Sequence, residues 1–270
     1  HLMDPHNPYR PPEEYRELFP PGKGRYIYAN GAPDPGFTTD DLVAMTALYD
    51  AEIRFLDDGL RTLSAGLRDR GDLDETLIVI TADHGEELMD PGGLGHGKTV
   101  ELEQLRIPLI LAGGAADRWS GTRVAERVRN LDLAPTFAEL TDFEIPPEFE
   151  GRSLLPLLRG EATAGSPVSF AWNAKLRSLT SDEWHCMRDL GTGRLVLYHR
   201  PTDPGGATDV AEANPDIAAL CVRELDRLET IRLETDREAL ALKAIETGNE
   251  APPESDEIIE QLEALGYVEE

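Results

Sequence analysis

Leu77-Ile78-Val79-Ile80-Thr81-Ala82-Asp83-His84-Gly85-Glu86 begins as an unbroken apolar, β-branched run and ends as ionisable groups around a glycine. Residues 77–81 read as a strand buried on both faces. A second such run is Ile107-Pro108-Leu109-Ile110-Leu111, with Pro108 at the strand's start. Upstream, Thr39 or Asp40 caps a long helical pattern. Leu42, Met45, Leu48, Tyr49, Ile53, Leu56, Leu60 and Leu63 recur at three- and four-residue spacing; Leu67 ends the run and Gly71 closes it. Downstream, residues 123–128 read as a short strand and a helix starts at Asp132, with Pro135 in its first turn. Helix, buried strand, loop, buried strand, helix implies a parallel α/β sheet. Ligands of such sheets lie beyond the carboxyl ends of the strands, where Asp83 and His84 fall.

On either side the chain changes character. Residues 1–35 are rich in Pro, Gly and Tyr and predict an extended, turn-rich loop. Residues 144–160 are Pro-punctuated, with a short Leu-rich turn. Alternating runs at 168–172, 175–180, 184–188 and 194–198 predict a small antiparallel sheet. A helix follows over 214–245, then a Pro/Glu/Ser linker and a last amphipathic turn at 258–265. Two parts are expected: an α/β part over 1–165 and a small α+β part with terminal helices over 166–270.

Composition narrows the function classes. The 270 residues carry 26 Lys+Arg against 52 Asp+Glu, a formal charge of −26, and 40% are hydrophobic, enough for a sizeable core. So negative a field argues against a nucleic-acid partner, because phosphate backbones recruit Lys and Arg. No apolar run is long enough to span a bilayer. The two cysteines, Cys186 and Cys221, make no disulfide framework.

Three segments could carry chemistry. Asp83 and His84, adjacent at a strand's end and followed by Gly85, offer oxygen and nitrogen to one divalent cation. Gly95-His96-Gly97-Lys98 follows in a glycine-flanked loop: Lys98 supplies a point charge for an oxyanion, and His96 can donate a hydrogen bond or protonate a leaving oxygen. Asp4-Pro5-His6-Asn7-Pro8-Tyr9 is a Pro-braced turn that presents His6. Glu86 and Glu87 read as solvated loop acids or supports for the metal ligands. His185 and His199, without partners at ligand spacing, read as structural.

In order along nearly the whole chain, these segments resemble the sulfatase family of the alkaline phosphatase-like superfamily. Further matches are Leu105-Arg106-Ile107-Pro108-Leu109-Ile110, Leu131-Asp132-Leu133-Ala134-Pro135-Thr136 and Glu150-Gly151-Arg152-Ser153-Leu154-Leu155-Pro156-Leu157. Leu197-Tyr198 with Asp203-Pro204-Gly205, and the ending Leu265-Gly266-Tyr267, fit as well. The resemblance implies an α/β fold: the C-terminal half of an alkaline phosphatase-like parallel or mixed sheet with flanking helices, plus the small antiparallel sheet. It implies that Asp83 and His84 are two ligands of a divalent metal, calcium first and Mg²⁺, Mn²⁺ or Zn²⁺ otherwise. His6 and Lys98 would bind the substrate's sulfate group, and His96 and Lys98 would be the catalytic side chains, with Lys98 ranked slightly above His96. The substrate would be a sulfate ester of a small molecule or glycan.

The departure is large. The family's formylglycine nucleophile is made within Cys/Ser-x-Pro-x-Arg, and no such motif occurs in these 270 residues; Cys186-Met187-Arg188 and Cys221-Val222-Arg223 do not fit it. The chain opens on His1 without an initiator Met and reads as the C-terminal half of a larger enzyme, inactive alone and inclined to self-associate or pair with an N-terminal half. Two alternatives stand beside it: a phosphonate or phosphate ester hydrolase or phosphomutase of the same superfamily, and a non-catalytic binding module.

The basic residues are 22 Arg and only 4 Lys. Acid-rich, Lys-poor composition fits either solvation in high salt, where screening weakens self-repulsion, or Arg-favouring codon usage. Thermal melts decide: stability should rise steeply with molar salt under the first account and stay flat under the second.

Overall fold

The computed structural model describes residues 2–26, 33, 35–89, 92–161 and 168–247; the turn expected at 258–265 lies outside them. The chain divides into two compact units, His1–Pro167 and Val168–Glu270.

In the first unit, a single helical turn, α1 (Glu13–Arg16), precedes the long helix α2 (Thr39–Arg70). The cap of α2 is Thr38, one residue before the expected position. Its hydroxyl accepts the Asp41 N–H at 3.2 Å while the Asp41 carboxylate accepts the Thr38 N–H at 3.0 Å. Arg25 lies 2.9 Å from the same carboxylate and holds it well below the usual acid range. At the other end Gly71 adopts φ 79°, a left-handed conformation that a side chain would strain, and ends the helix. Only the N-terminal half of α2 is deeply packed: Ala44, Met45, Leu48 and Ala51 are buried, whereas Ile53 and Leu63 are exposed.

The strands β1 (Ile78–Thr81), β2 (Glu87–Leu88), β3 (Leu94–Gly95) and β4 (Leu109–Ala112) surround the turn α3 (Leu102–Leu105). β1 and β4 pair antiparallel, with Ile78 opposite Ala112 and Thr81 opposite Leu109. This corrects the parallel pairing expected from the order of elements. The loop 82–108 leaves at Thr81 and returns at Leu109, which face each other across the ladder. A parallel pair needs a crossover to the far end; this loop instead holds the β2–β3 hairpin and one helical turn. Burial on both faces is also corrected, since Ile78, Val79, Ile80, Leu109 and Leu111 are half-buried and Ile110 is exposed.

Residues 123–128 form no strand, as no ladder partner lies beside them among the described residues. A 3₁₀ turn at Asn130–Asp132 leads into α4 (Leu133–Leu140), and α5 (Leu155–Leu158) follows. Asp132 is fully buried and accepts the Arg129 N–H at 2.8 Å, the Arg129 guanidinium at 3.0 Å and the Arg152 N–H at 3.0 Å. Beside it, the Asn130 amide donates to the Ala82 carbonyl at 3.2 Å, which tethers this turn to the end of β1.

The second unit is an antiparallel sheet in the order β5 (Ser169–Trp172), β6 (Leu176–Thr180), β7 (Trp184–Asp189), β8 (Leu195–His199), followed by α6 (Pro215–Thr247). Alternation along the strands and periodicity along the helix meet in a core of Leu179, Cys186, Leu197, Cys221 and Leu225. Arg177, nearly buried on β6, forks onto Glu229 of α6 at 2.6 and 2.7 Å, and Arg232 forks onto the same carboxylate at 3.1 and 3.0 Å.

These two guanidinium groups lower the Glu229 carboxyl from about 4.5 to about 2. Its contribution is therefore complete above the unfolded value and is lost as pH falls from about 4.5 towards 2. Glu229→Gln should cost roughly 2 kcal/mol near neutral pH and flatten this acid limb, read by denaturant melts of the second unit's Trp fluorescence. An unchanged acid limb would refute the assignment.

Candidate functional site

The site lies on segments that leave β1. Beyond Thr81 come Asp83 and His84; the hairpin β2–β3 returns the chain and delivers His96. His6 arrives from the N-terminal loop, whose anchors are the buried Asn7 and Tyr9 on either side of the exposed Pro8. Tyr9 packs with Met45, Leu48 and Leu94, so one apolar cluster joins this loop, α2 and the hairpin. Leu94 is in β3, two residues before His96.

Three imidazoles meet there. The His96 ring stands edge-on to His6, with centroids 4.7 Å apart, and stacks on His84 at 4.3 Å. Each ring has its Nδ1 held by an oxygen: His6 by the Asn7 carbonyl at 2.6 Å, His84 by the Gly85 carbonyl at 2.9 Å, and His96 by the Glu86 carboxylate at 2.7 Å. Carbonyl and carboxylate oxygens only accept, so Nδ1 carries the proton in all three rings. In the neutral rings Nε2 then holds the lone pair.

Glu86 is 6% exposed at its side chain. Its carboxylate lies against His96 and also next to the Tyr9 hydroxyl. Burial first, and then Glu86, raise the Tyr9 phenol well above its ordinary range, so Tyr9 stays a donor to Glu86. Tyr9, Glu86 and His96 thus form one chain of hydrogen bonds. Glu86 and Glu87, expected from the sequence to be solvated acids or supporting groups, both have buried side chains. A hint lay in Gly93, where a Cβ would sit 1.6 Å from the Glu87 carboxylate.

Of the expected residues, His6, His84 and His96 come together, and Lys98 is exposed on the same loop. Asp83 is 68% exposed at its side chain, with Oδ2 4.0 Å from His84 Nε2. The donor set fits part of a divalent cation's shell: a carboxylate oxygen and an imidazole nitrogen whose other nitrogen is braced by a carbonyl. Among the described residues no cluster of three or more His, Cys, Asp or Glu side chains is arranged to hold a metal ion.

Comparison with known proteins shows the family. The family model described as Sulfatase matches residues 1–143, more than half of the chain. The chain belongs to the sulfatase family. It is 35% identical over 205 residues to the multifunctional alkaline phosphatase superfamily protein PehA of Trinickia caryophylli, covering 74% of this chain and 35% of PehA. It is 31% identical over 178 residues to choline-sulfatase of Rhizobium meliloti, covering 62% of this chain and 33% of that protein. The phosphonate monoester hydrolase of Agrobacterium radiobacter has the same fold, with a TM-score of 0.68 at 22% identity over 86% of this chain and 55% of that one. This member of the sulfatase family thus spans about a third of the length of these curated relatives.

Close to the site, burial first and then Glu103 and Glu87 push the Glu101 carboxyl up to about 8. An unfolded Glu ionises near 4.5, so between 4.5 and 8 the folded chain holds the extra proton. Stability therefore falls as pH rises through that window. Glu101→Gln should remove this fall and raise the melting temperature at pH 8 relative to the unaltered chain. Identical melting curves for the two proteins from pH 5 to 8 would refute it.

Proposed function

We propose that this chain carries the oxyanion-binding and proton-transfer half of a hydrolase acting on sulfate esters of small molecules or glycans. The observation that carries the reading is the cluster of His6, His84 and His96, each braced at Nδ1. His6 contacts a sulfuryl oxygen and Lys98 offsets charge on the same group. His96 delivers a proton from Nε2 to the departing alcohol oxygen. Glu86, hydrogen-bonded at Nδ1, compensates the positive charge His96 bears before it gives up that proton. A divalent cation held through Asp83 and His84, calcium by preference, would add positive charge beside the ester oxygens. Attack on sulfur falls to a nucleophile from outside these 270 residues.

Charge supports a sulfate ester over a phosphate monoester. A sulfate monoester bears a single negative charge, whereas a phosphate monoester bears about 1.5 to 2 near neutral pH. Three imidazoles and one lysine, flanked by Asp83 and Glu86 in a chain of charge −26, suit the single charge better. A phosphonate monoester is also singly charged, and the likeness to the Agrobacterium hydrolase makes it the second reading. A phosphomutase acts on the doubly charged class. A binding module would keep oxyanion affinity without turnover in any context.

The partner we propose is a polypeptide that supplies the rest of the sheet. Support comes from a groove of about 490 Å³ along β1 and α4, walled by Leu77, Val79, Trp119, Phe137 and Leu140. Phe143 and Phe149 extend this apolar surface. Among the described residues β1 and β4 have no third strand.

Titrating the chain with sodium methyl sulfate should shift the ring resonances of His6 and His96 saturably, and His6→Ala should weaken the affinity about tenfold. Rings indifferent to methyl sulfate would count against the reading, and tighter binding of methyl methylphosphonate would favour the second one. Aryl sulfate turnover by the chain alone should stay at background, and sedimentation should show association that grows with concentration. Calorimetry with Ca²⁺ or Mn²⁺ should show only weak binding. Robust turnover would mean that these residues contain the nucleophile after all.

A further inference from the structure

We infer that Gln104 is the positioning residue that sets the His84 segment and the His96–Lys98 loop at a fixed separation. The inference rests on the reading of His84 and His96 as site residues. Gln104 is buried in the turn α3, downstream of both segments, and binds each immediately after its histidine. Its main-chain carbonyl accepts the Gly85 N–H at 2.7 Å, one residue after His84. Its side-chain Oε1 accepts the Gly97 N–H at 2.8 Å, one residue after His96. Its Nε2 donates to the Glu87 carboxylate at 2.6 Å and to the Thr99 hydroxyl at 2.8 Å. Thr99 in turn donates to the same Glu87 oxygen.

The chemistry requires an amide at this position. Gly97 offers only a donor and Glu87 only an acceptor, so the orientation of the Gln104 amide is fixed and all three of its principal valences are used. Glutamate has the same shape but would present an acceptor to a buried carboxylate. Methionine has nearly the same volume but satisfies none of the three groups that the side chain binds. Gly85 makes the close approach possible, because a Cβ there would lie 2.0 Å from the Glu103 carbonyl. A residue without a Cβ is needed where the two segments are clamped. Gln104 touches neither ester nor cation; it acts through the histidines.

The test uses the whole chain with Gln104→Met and Gln104→Glu. In Gln104→Met the Gly97 amide should exchange at least tenfold faster, while the Gly85 amide, bonded to the retained main-chain carbonyl, stays protected. The His96 ring resonances should move and those of His185 and His199 in the second unit should not. Affinity for methyl sulfate should drop about tenfold. In Gln104→Glu an acceptor for Gly97 remains, so Gly97 should stay protected even as the Glu87 side of the network is lost. A folded Met variant with unchanged Gly97 exchange and His96 resonances overturns the inference. Should the Met variant lose its first-unit resonances, Gln104→Glu decides: unprotected Gly97 in a folded Glu variant also overturns it. Failure of the unaltered chain to bind methyl sulfate would instead remove the proposed function, while the exchange rates still decide the role of Gln104.

Discussion

Two adjacent carboxylates, Glu86 and Glu87, are buried side by side in a chain of charge −26, and the site depends on each being satisfied. Leaving a buried charge unpaired is among the costliest defects a fold can carry. Successive residues entering a strand point to opposite faces, and the two acids use this to reach different partners. Glu86 faces His96 and Tyr9; Glu87 faces Gln104 and Thr99. One face therefore fixes an imidazole and the other fixes the backbone that carries it. The hairpin β2–β3 is only two residues deep on each side, too short to hold a loop rigid by its own ladder. The buried acids supply what the ladder lacks.

Much of the scaffold was legible because it rests on periodicity. The spacing of Leu42, Met45 and Leu48 marks α2, and the alternating runs of the second unit mark all four strands of its sheet. The direction of the β1–β4 pair was not legible. An apolar run identifies a strand, but its direction depends on where the intervening loop carries the chain, and five glycines within 82–106 leave that open. The histidines of the site could be named from their glycine and proline neighbours. Glu86 and Gln104 could not, because an acid or an amide in a glycine-rich loop looks solvated until tertiary contacts bury it. The closing of α2's cap at Thr38 rather than Thr39 or Asp40 is a smaller case: three consecutive capable residues share the local signal, and Arg25 on Asp41 selects among them.

The preference for Arg over Lys acquires a structural meaning from the same contacts. The guanidinium groups of Arg25, Arg129 and Arg177 each lie against a buried or half-buried carboxylate of a distinct element, with main-chain donors adding to the first two. A planar fork can donate twice in fixed geometry, where an ammonium offers a point charge. Acidic residues so numerous would repel one another; Asp41, Asp132 and Glu229 are each given a guanidinium, which can donate twice from a single side chain. Lysine is then left to positions that need a mobile point charge at the surface, as at Lys98.

Completeness of the sheet and completeness of the site are, under the proposed function, one problem. β1 carries Asp83 and His84 beyond its end while its Val79, with Leu77 just before the strand, lines an open groove. Two donors 4.0 Å apart make only part of a cation's shell. A polypeptide laid along β1 would bury the apolar groove with the favourable free energy of apolar burial, and its own strand ends would arrive at the same edge as Asp83 and His84. The free energy of covering the sheet would then be spent on bringing further ligands and a nucleophile to the histidine cluster. In that arrangement the site cannot form before the sheet does, which keeps a cation-activated centre from operating in an unassembled chain.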